Sequence, residues 1–108
     1  MKMILDEPQK MLTVQVAGDL VSTNTDALRT KLAGVLNAEP GKPVRWELLR
    51  LELPAAKMVD SMGLNLVVTI LRAVQKAGGR MQVIYRNPNV LRTFQFTRLD
   101  QRIEMVKA

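Results

Sequence analysis

Two hydrophobic periods alternate along this chain. In MLTVQVAG, apolar Leu12, Val14 and Val16 alternate with Thr13 and Gln15, the period of a half-buried strand that ends at Gly18. The preceding MIL, with DEPQK as the turn, pairs with it as a hairpin. From Thr25 the spacing lengthens: Ala27, Leu28, Leu32, Val35 and Leu36 fall three and four apart on one helical face, and Ser22 to Thr25 offer several N-caps. EPGKP, Glu39 to Pro43, can continue neither regular structure. A second strand is expected over Val44 to Leu53, with Val44, Trp46 and Leu48 on one face and Arg45 and Glu47 on the other, stopped by Pro54.

The helical period returns between Met62 and Ala77. Leu64, Val67, Val68, Leu71 and Val74 follow it, while Leu66 and Ile70 widen the stripe, so this helix should be heavily buried. Gly78 and Gly79 stop it. Met81 to Tyr85 reads as a strand; Asn87 then offers an N-cap with Pro88 at the first helical position. The helix that follows runs to about Phe96 and sets Val90 or Leu91 against Phe94. Arg102 to Val106, alternating Ile103 and Met105 with Glu104, closes the chain with a short strand. Strands alternating with helices predict an α/β fold: a small mixed sheet of four to five strands, some pairs parallel through right-handed crossovers, covered by about three to four helices. With no linker, repeat or low-complexity tract in 108 residues, one domain over 1–108 is expected.

Composition narrows the chemistry. There is no Cys and no His, which removes disulfides, thiolate or imidazole metal sites and any Ser–His nucleophile pair within the chain. VDSMG also lacks the first Gly of a G-x-S-x-G elbow, since Val59 stands there. A hydrolase is therefore not expected. The apolar run at the start is too short for a signal-peptide core and is interrupted by Asp6 and Glu7, and no segment approaches membrane-spanning length, which points to a cytoplasmic protein with no membrane association. The net charge of +6 is unevenly spread: residues 1–61 hold eight basic and eight acidic side chains, residues 62–108 eight basic and two acidic. Arg72, Lys76, Arg80, Arg86, Arg92, Arg98 and Arg102 are scattered, a pattern that fits either a solvated or a binding face.

One loop carries candidate chemistry. VDSMGLN, Val59 to Asn65, falls between a strand and a helix, where ligands and partners of α/β sheets tend to meet the carboxyl ends of strands. Asp60 and Ser61 are both good N-caps because their oxygens accept orphan backbone N–H groups. The same helix terminus, with its free donors and positive dipole end, can receive a phosphate on Ser61. Gly63 can serve either tight packing or the close approach of a partner.

Taken with GDL at 18–20, LEL at 51–53, AGGRMQVIY at 77–85, NPNV at 87–90 and FTRLD at 96–100, VDSMGL resembles the central motif of STAS domains of the anti-sigma factor antagonist type. The resemblance spans nearly the whole chain. It implies a regulatory protein rather than an enzyme, with no cofactor of its own, whose Ser61 is phosphorylated by a serine-kinase anti-sigma factor and reset by a serine phosphatase. The unphosphorylated form binds the kinase and frees the sigma factor. On this resemblance Asp19, Asp60, Met62, Gly63 and Asn65 belong with Ser61 to the partner-binding loop, and a monomer or weak dimer is expected. Four positions depart from the family pattern: Met62 replaces a second Ser or Thr, Val21 a common Asp, Arg98 a usual Gly and Glu52 an Asp.

Two other functions compete. The domain can instead be a permanent STAS subunit docked on a transport ATPase or scaffold, with Asp60-Ser61 merely shaping the loop. Direct nucleic-acid binding is not expected: aromatics are 4% of the chain, and Trp46, Phe94 and Phe96 sit in packing patterns, with no recognition motif in view.

Overall fold

The alternation in residues 11–16 is realised as the second strand of a five-stranded sheet. A computed structural model describes residues 2–21, 23–36 and 46–108, without the side chains of Val35 and Leu36. Its elements are β1 (Lys2–Asp6), β2 (Met11–Gln15), α1 (Thr25–Lys31), α2 (Ala33–Leu36), β3 (Leu48–Leu53), α3 (Ser61–Lys76), β4 (Arg80–Tyr85), α4 (Pro88–Phe96), a 3-10 turn (Leu99–Gln101) and β5 (Glu104–Lys107). The sheet order is β1-β2-β3-β4-β5, with β1 antiparallel to β2 and every later pair parallel. Crossovers between parallel strands are right-handed as a rule, and three that each advance one strand in the same direction then place their helices on the same face of the sheet.

Burial follows that layering. Leu12, Leu49 and Met81 are in register across β2, β3 and β4, as are Val14, Leu51 and Val83, and all six are buried. Leu66, Val67, Ile70, Leu71 and Val74 of α3 and Val90 and Phe94 of α4 complete this core. Each such side chain contributes about 1.5–3 kcal/mol by leaving water. The opposite sheet face is polar and paired across strands. Gln15 donates to Glu52 (2.9 Å), Arg50 to Gln82 (2.8 Å) and Gln82 to Glu104 (3.0 Å).

The helix ends obey their sequence signals. At the end of α3, the Gly78 N–H donates to Gln75 O (3.0 Å) and the Gly79 N–H to Val74 O (2.9 Å), the two bonds of a Schellman motif, with Gly78 left-handed at φ +76. At the start of α4, Asn87 accepts from the Asn89 N–H (2.9 Å), and Pro88 follows it in the first turn.

Several sequence expectations are corrected. The first helix is two short ones interrupted at buried Leu32, and Ala27 is exposed rather than part of the apolar face; Thr25, Leu28 and Leu32 are the buried positions. Of the described part of the expected strand 44–53, Trp46 and Glu47 lie outside β3. The Glu47 and Leu48 N–H groups both donate to Lys10 O, at 2.7 and 3.2 Å, and two successive donors on one carbonyl break the strand alternation. Arg102 and Ile103, expected in the last strand, both precede β5, because their N–H groups donate to Leu99 O at 3.0 and 2.9 Å and close the 3-10 turn. Val68 lies at the flank of the α3 stripe rather than in it. The expectations for Ser22, Glu39 to Pro43, Val44, Arg45 and the side chains of Val35 and Leu36 fall outside the described residues.

Arg98 occupies a left-handed position, φ +59 and ψ +18, between α4 and the 3-10 turn. A side chain there costs about 1–2 kcal/mol, whereas glycine incurs about 0.5–1 kcal/mol of extra unfolded-state entropy. Arg98→Gly is therefore expected to raise stability by roughly 0.5 kcal/mol or more in urea unfolding. A loss of stability would mean that the Arg98 side chain makes a compensating contact.

Candidate functional site

Asp60, not Ser61, caps α3. Asp60 is extended at ψ −176 and its carboxylate accepts the Gly63 N–H at 2.9 Å, while its carbonyl takes the first intrahelical bond from Leu64 N (2.8 Å). Ser61 is thereby the first helical residue and is exposed. Among the described residues no acceptor serves the Ser61 or Met62 N–H, so two orphan donors stand open beside the hydroxyl.

The cap is held in place from the other side by β2. Beyond β2, Leu20 forms an isolated parallel bridge with Val59: the Leu20 N–H donates to Met58 O (3.2 Å) and the Asp60 N–H to Leu20 O (3.2 Å). Asp19 reinforces this junction, its Oδ1 accepting the Lys57 N–H (2.7 Å) and the Met58 N–H (3.3 Å). Gly63 is buried at the centre of the contact. A Cβ there would collide with the Leu20 carbonyl oxygen and come within 2.9 Å of its carbon and 3.1 Å of Val59 Cγ1. The space opened by its missing side chain is filled from within, which matches the packing reading of Gly63.

The outward surface is mixed. Ser61 and Asn65, four residues apart, lie on one side of α3 and both are exposed. Met58, three residues before Ser61, and Met62, one after it, are 56% and 43% exposed and add apolar surface to this stretch of chain. Leu64, by contrast, packs partly buried against the core. Ser61, Met62 and Asn65 are thus exposed at the start of α3, behind a half-buried Asp60 cap, with buried Gly63 packed against Leu20 and Asp19 fastening the approach.

In the sequence Met58 and Val59 read only as a short apolar approach to Asp60-Ser61; the structure exposes Met58 and buries Val59. The clamp by Asp19 was not legible either, since it links positions 38 and 39 residues apart. Elsewhere, an open depression of about 360 Å³ at the amino-terminal ends of β3 and β4 is lined by Leu71, Val74, Arg80, Met81, Arg102 and Ile103, among others; its lining contains no Ser, Thr, Cys or His. Among the described residues no group of three or more acidic, His or Cys side chains could hold a metal, and no helix is long and apolar enough to cross a membrane.

The division of roles between Asp60 and Ser61 can be measured by thermal or denaturant unfolding. Asp60→Ala should cost about 1 kcal/mol through the lost cap, and Ser61→Ala less than about 0.5 kcal/mol because its side chain is exposed and has no hydrogen-bond partner among the described residues. Gly63→Ala should cost about 2–3 kcal/mol or prevent folding, as overpacking against backbone cannot be relieved by a rotamer change.

The same architecture recurs in solved proteins. The anti-sigma factor antagonist SpoIIAA in its unphosphorylated form aligns with a TM-score of 0.72 and 20% identity, covering 93% of this chain and 81% of that one. An anti-sigma factor antagonist from Mycobacterium paratuberculosis gives 0.74 and 21%, over 97% and 84% of the two chains. TM1081 from Thermotoga maritima gives 0.79 and 19%, over 99% and 86%. No curated protein matches by sequence. The family model described as "STAS domain" matches residues 2–108, nearly the full length. The chain belongs to the STAS domain family.

Proposed function

We propose that this protein is an anti-sigma factor antagonist-like adaptor that docks a serine-kinase anti-sigma factor through the start of α3 and is switched off by phosphorylation of Ser61. The observation that carries the reading is the state of Ser61: an exposed hydroxyl at the first position of a helix that is capped by its neighbour, alongside two backbone donors that have no acceptor among the described residues. A hydroxyl that is not needed as a cap can be modified without unfolding the helix. The resemblance in fold to SpoIIAA, described in its unphosphorylated form, supports it, as does the D-S-x-G pattern at Asp60 to Gly63.

The physical consequence of the phosphate falls on the partner. It brings about −1.5 to −2 charges to a helix N-terminus, where an anion gains roughly 0.3–1 kcal/mol from the dipole, while the adjacent Asp60 carboxylate repels it. These effects largely offset one another in the free protein. In a docked complex the same charge sits in a stretch that also exposes Met58 and Met62, whose apolar surface must lose water, and an ion buried there without a partner is costly. The switch therefore acts on association, and a serine phosphatase is needed to reverse it. On this reading the protein is no enzyme, needs no cofactor and works in the cytoplasm with the kinase.

Incubation with a serine-kinase anti-sigma factor and ATP should add one phosphate, measured by intact mass, and Ser61→Ala should abolish it. Phosphate appearing on another residue, or none with a kinase that binds the protein, would contradict the proposal. In the latter case a permanent docking subunit becomes the better account.

A further inference from the structure

Six large apolar side chains are exposed among the described residues, and three of them are consecutive: Met3, Ile4 and Leu5 at 44%, 41% and 39%. All three lie on β1, which pairs with β2 along one side and has no strand on the other among the described residues. An outer strand presents a row of unpaired N–H and C=O groups, and proteins that keep such an edge solitary usually place a charge, a proline or a bulge in its middle. KMILD has none of these in its centre; its charges, Lys2 and Asp6, are at the two ends.

We propose that the free edge of β1 is a self-association surface, on which a second copy of this chain adds its own β1 antiparallel to join two five-stranded sheets. The sequence of the strand is complementary to itself in one register. With a two-fold axis through Ile4, Lys2 of each copy lies opposite Asp6 of the other, Met3 opposite Leu5 and Ile4 opposite Ile4. The side chains also agree by face. Lys2, Ile4 and Asp6 share the polar sheet face, since they pair with Gln15, Thr13 and Met11, whereas Met3 and Leu5 pair with Val14 and Leu12 on the helix-covered face. The seam thus closes with two salt bridges around an Ile4–Ile4 contact on one face and two Met3–Leu5 contacts on the other. A slip by two residues would set Lys2 opposite Ile4 and lose the charge pairs, so the register is specified.

The distribution of charge over the whole molecule favours the same edge. The hairpin β1–β2 is balanced, with Lys2 and Lys10 against Asp6 and Glu7, and the excess of +6 lies beyond Ser61. Because the sheet runs β1 to β5 in order, β4 and β5 lie toward the far edge. Edge-to-edge pairing at β1 brings the neutral ends together and keeps the basic ends apart. It also leaves Ser61 of both copies uncovered, at opposite ends of the joined sheet, so this inference stands independently of the phosphorylation reading. Five residues of edge make a small seam compared with the roughly 800 Å² per partner of a stable interface, and the dimer is accordingly concentration-dependent.

Sedimentation equilibrium over a concentration series on the full chain tests this directly. The unmodified protein should show a monomer–dimer equilibrium, and Asp6→Lys should weaken it about tenfold or more, because two cross-strand pairs turn from attractive to repulsive. Lys2→Asp, which leaves the Asp6–Gln9 turn bond intact, should weaken it similarly. The double variant Lys2→Asp, Asp6→Lys should restore the dimer. It lacks that turn bond just as Asp6→Lys does, so restoration isolates the intermolecular charge pair from the fold of the hairpin. A monomer at all concentrations, a dimer indifferent to either single change, or a double variant that stays monomeric would each overturn the proposal.

Discussion

The geometry of the site depends on one backbone contact, the bridge between Leu20 and Val59. Two loops leave the carboxyl ends of neighbouring parallel strands, and without a fastening they would diverge. Leu20 donates to Met58 O and accepts from Asp60 N, Asp19 collects two further N–H groups of the second loop, and Gly63 lets α3 begin flush against the Leu20 carbonyl. The position of Ser61 follows from these bonds. The cap fixes where the helix starts, the bridge fixes where the cap is, and the absence of a side chain at 63 permits both.

The same constraint separates structure from function within seven residues. Asp60 and Gly63 are held by the fold, while Ser61, Met62 and Asn65 are turned outward with no described side-chain partner for the hydroxyl. A regulatory site gains from such a division. Modification at Ser61 can change what docks without being transmitted into the core, because the groups that hold the helix are different atoms from those that carry the signal. The family departures fit this picture unevenly. Met62 adds exposed apolar surface next to Ser61, whereas Arg98 affects only a left-handed turn remote in sequence, and Glu52 joins the cross-strand pairs of the polar sheet face.

Much of this was legible because local rules and the global fold agree. The hairpin, α3 with its Gly78–Gly79 stop and α4 with Asn87-Pro88 each rest on contacts a few residues long, and each stands where its signal placed it. Errors arose where a distant partner prevailed. Trp46 and Glu47 continue a strand pattern, yet Lys10 O draws two successive N–H groups and bends the chain; Ile103 alternates properly but is taken by a 3-10 turn. In the site, Asp60, Ser61 and Gly63 were marked by their own residue types. Asp19 was reached only by family resemblance, and Met58 not at all, because what makes each matter is a pairing across nearly forty residues or an orientation that periodicity does not encode.

The claim that a phosphate is received by a terminus already built can be tested by amide NMR on protein carrying phosphoserine at position 61, compared with the unmodified chain. The account predicts large shifts confined to the amides of Ser61 and Met62 and their neighbours in the Lys57–Asp60 loop, with the helical signature of residues 61–76 retained. Loss of that signature in the first turn, or shifts spread through the sheet, would contradict it.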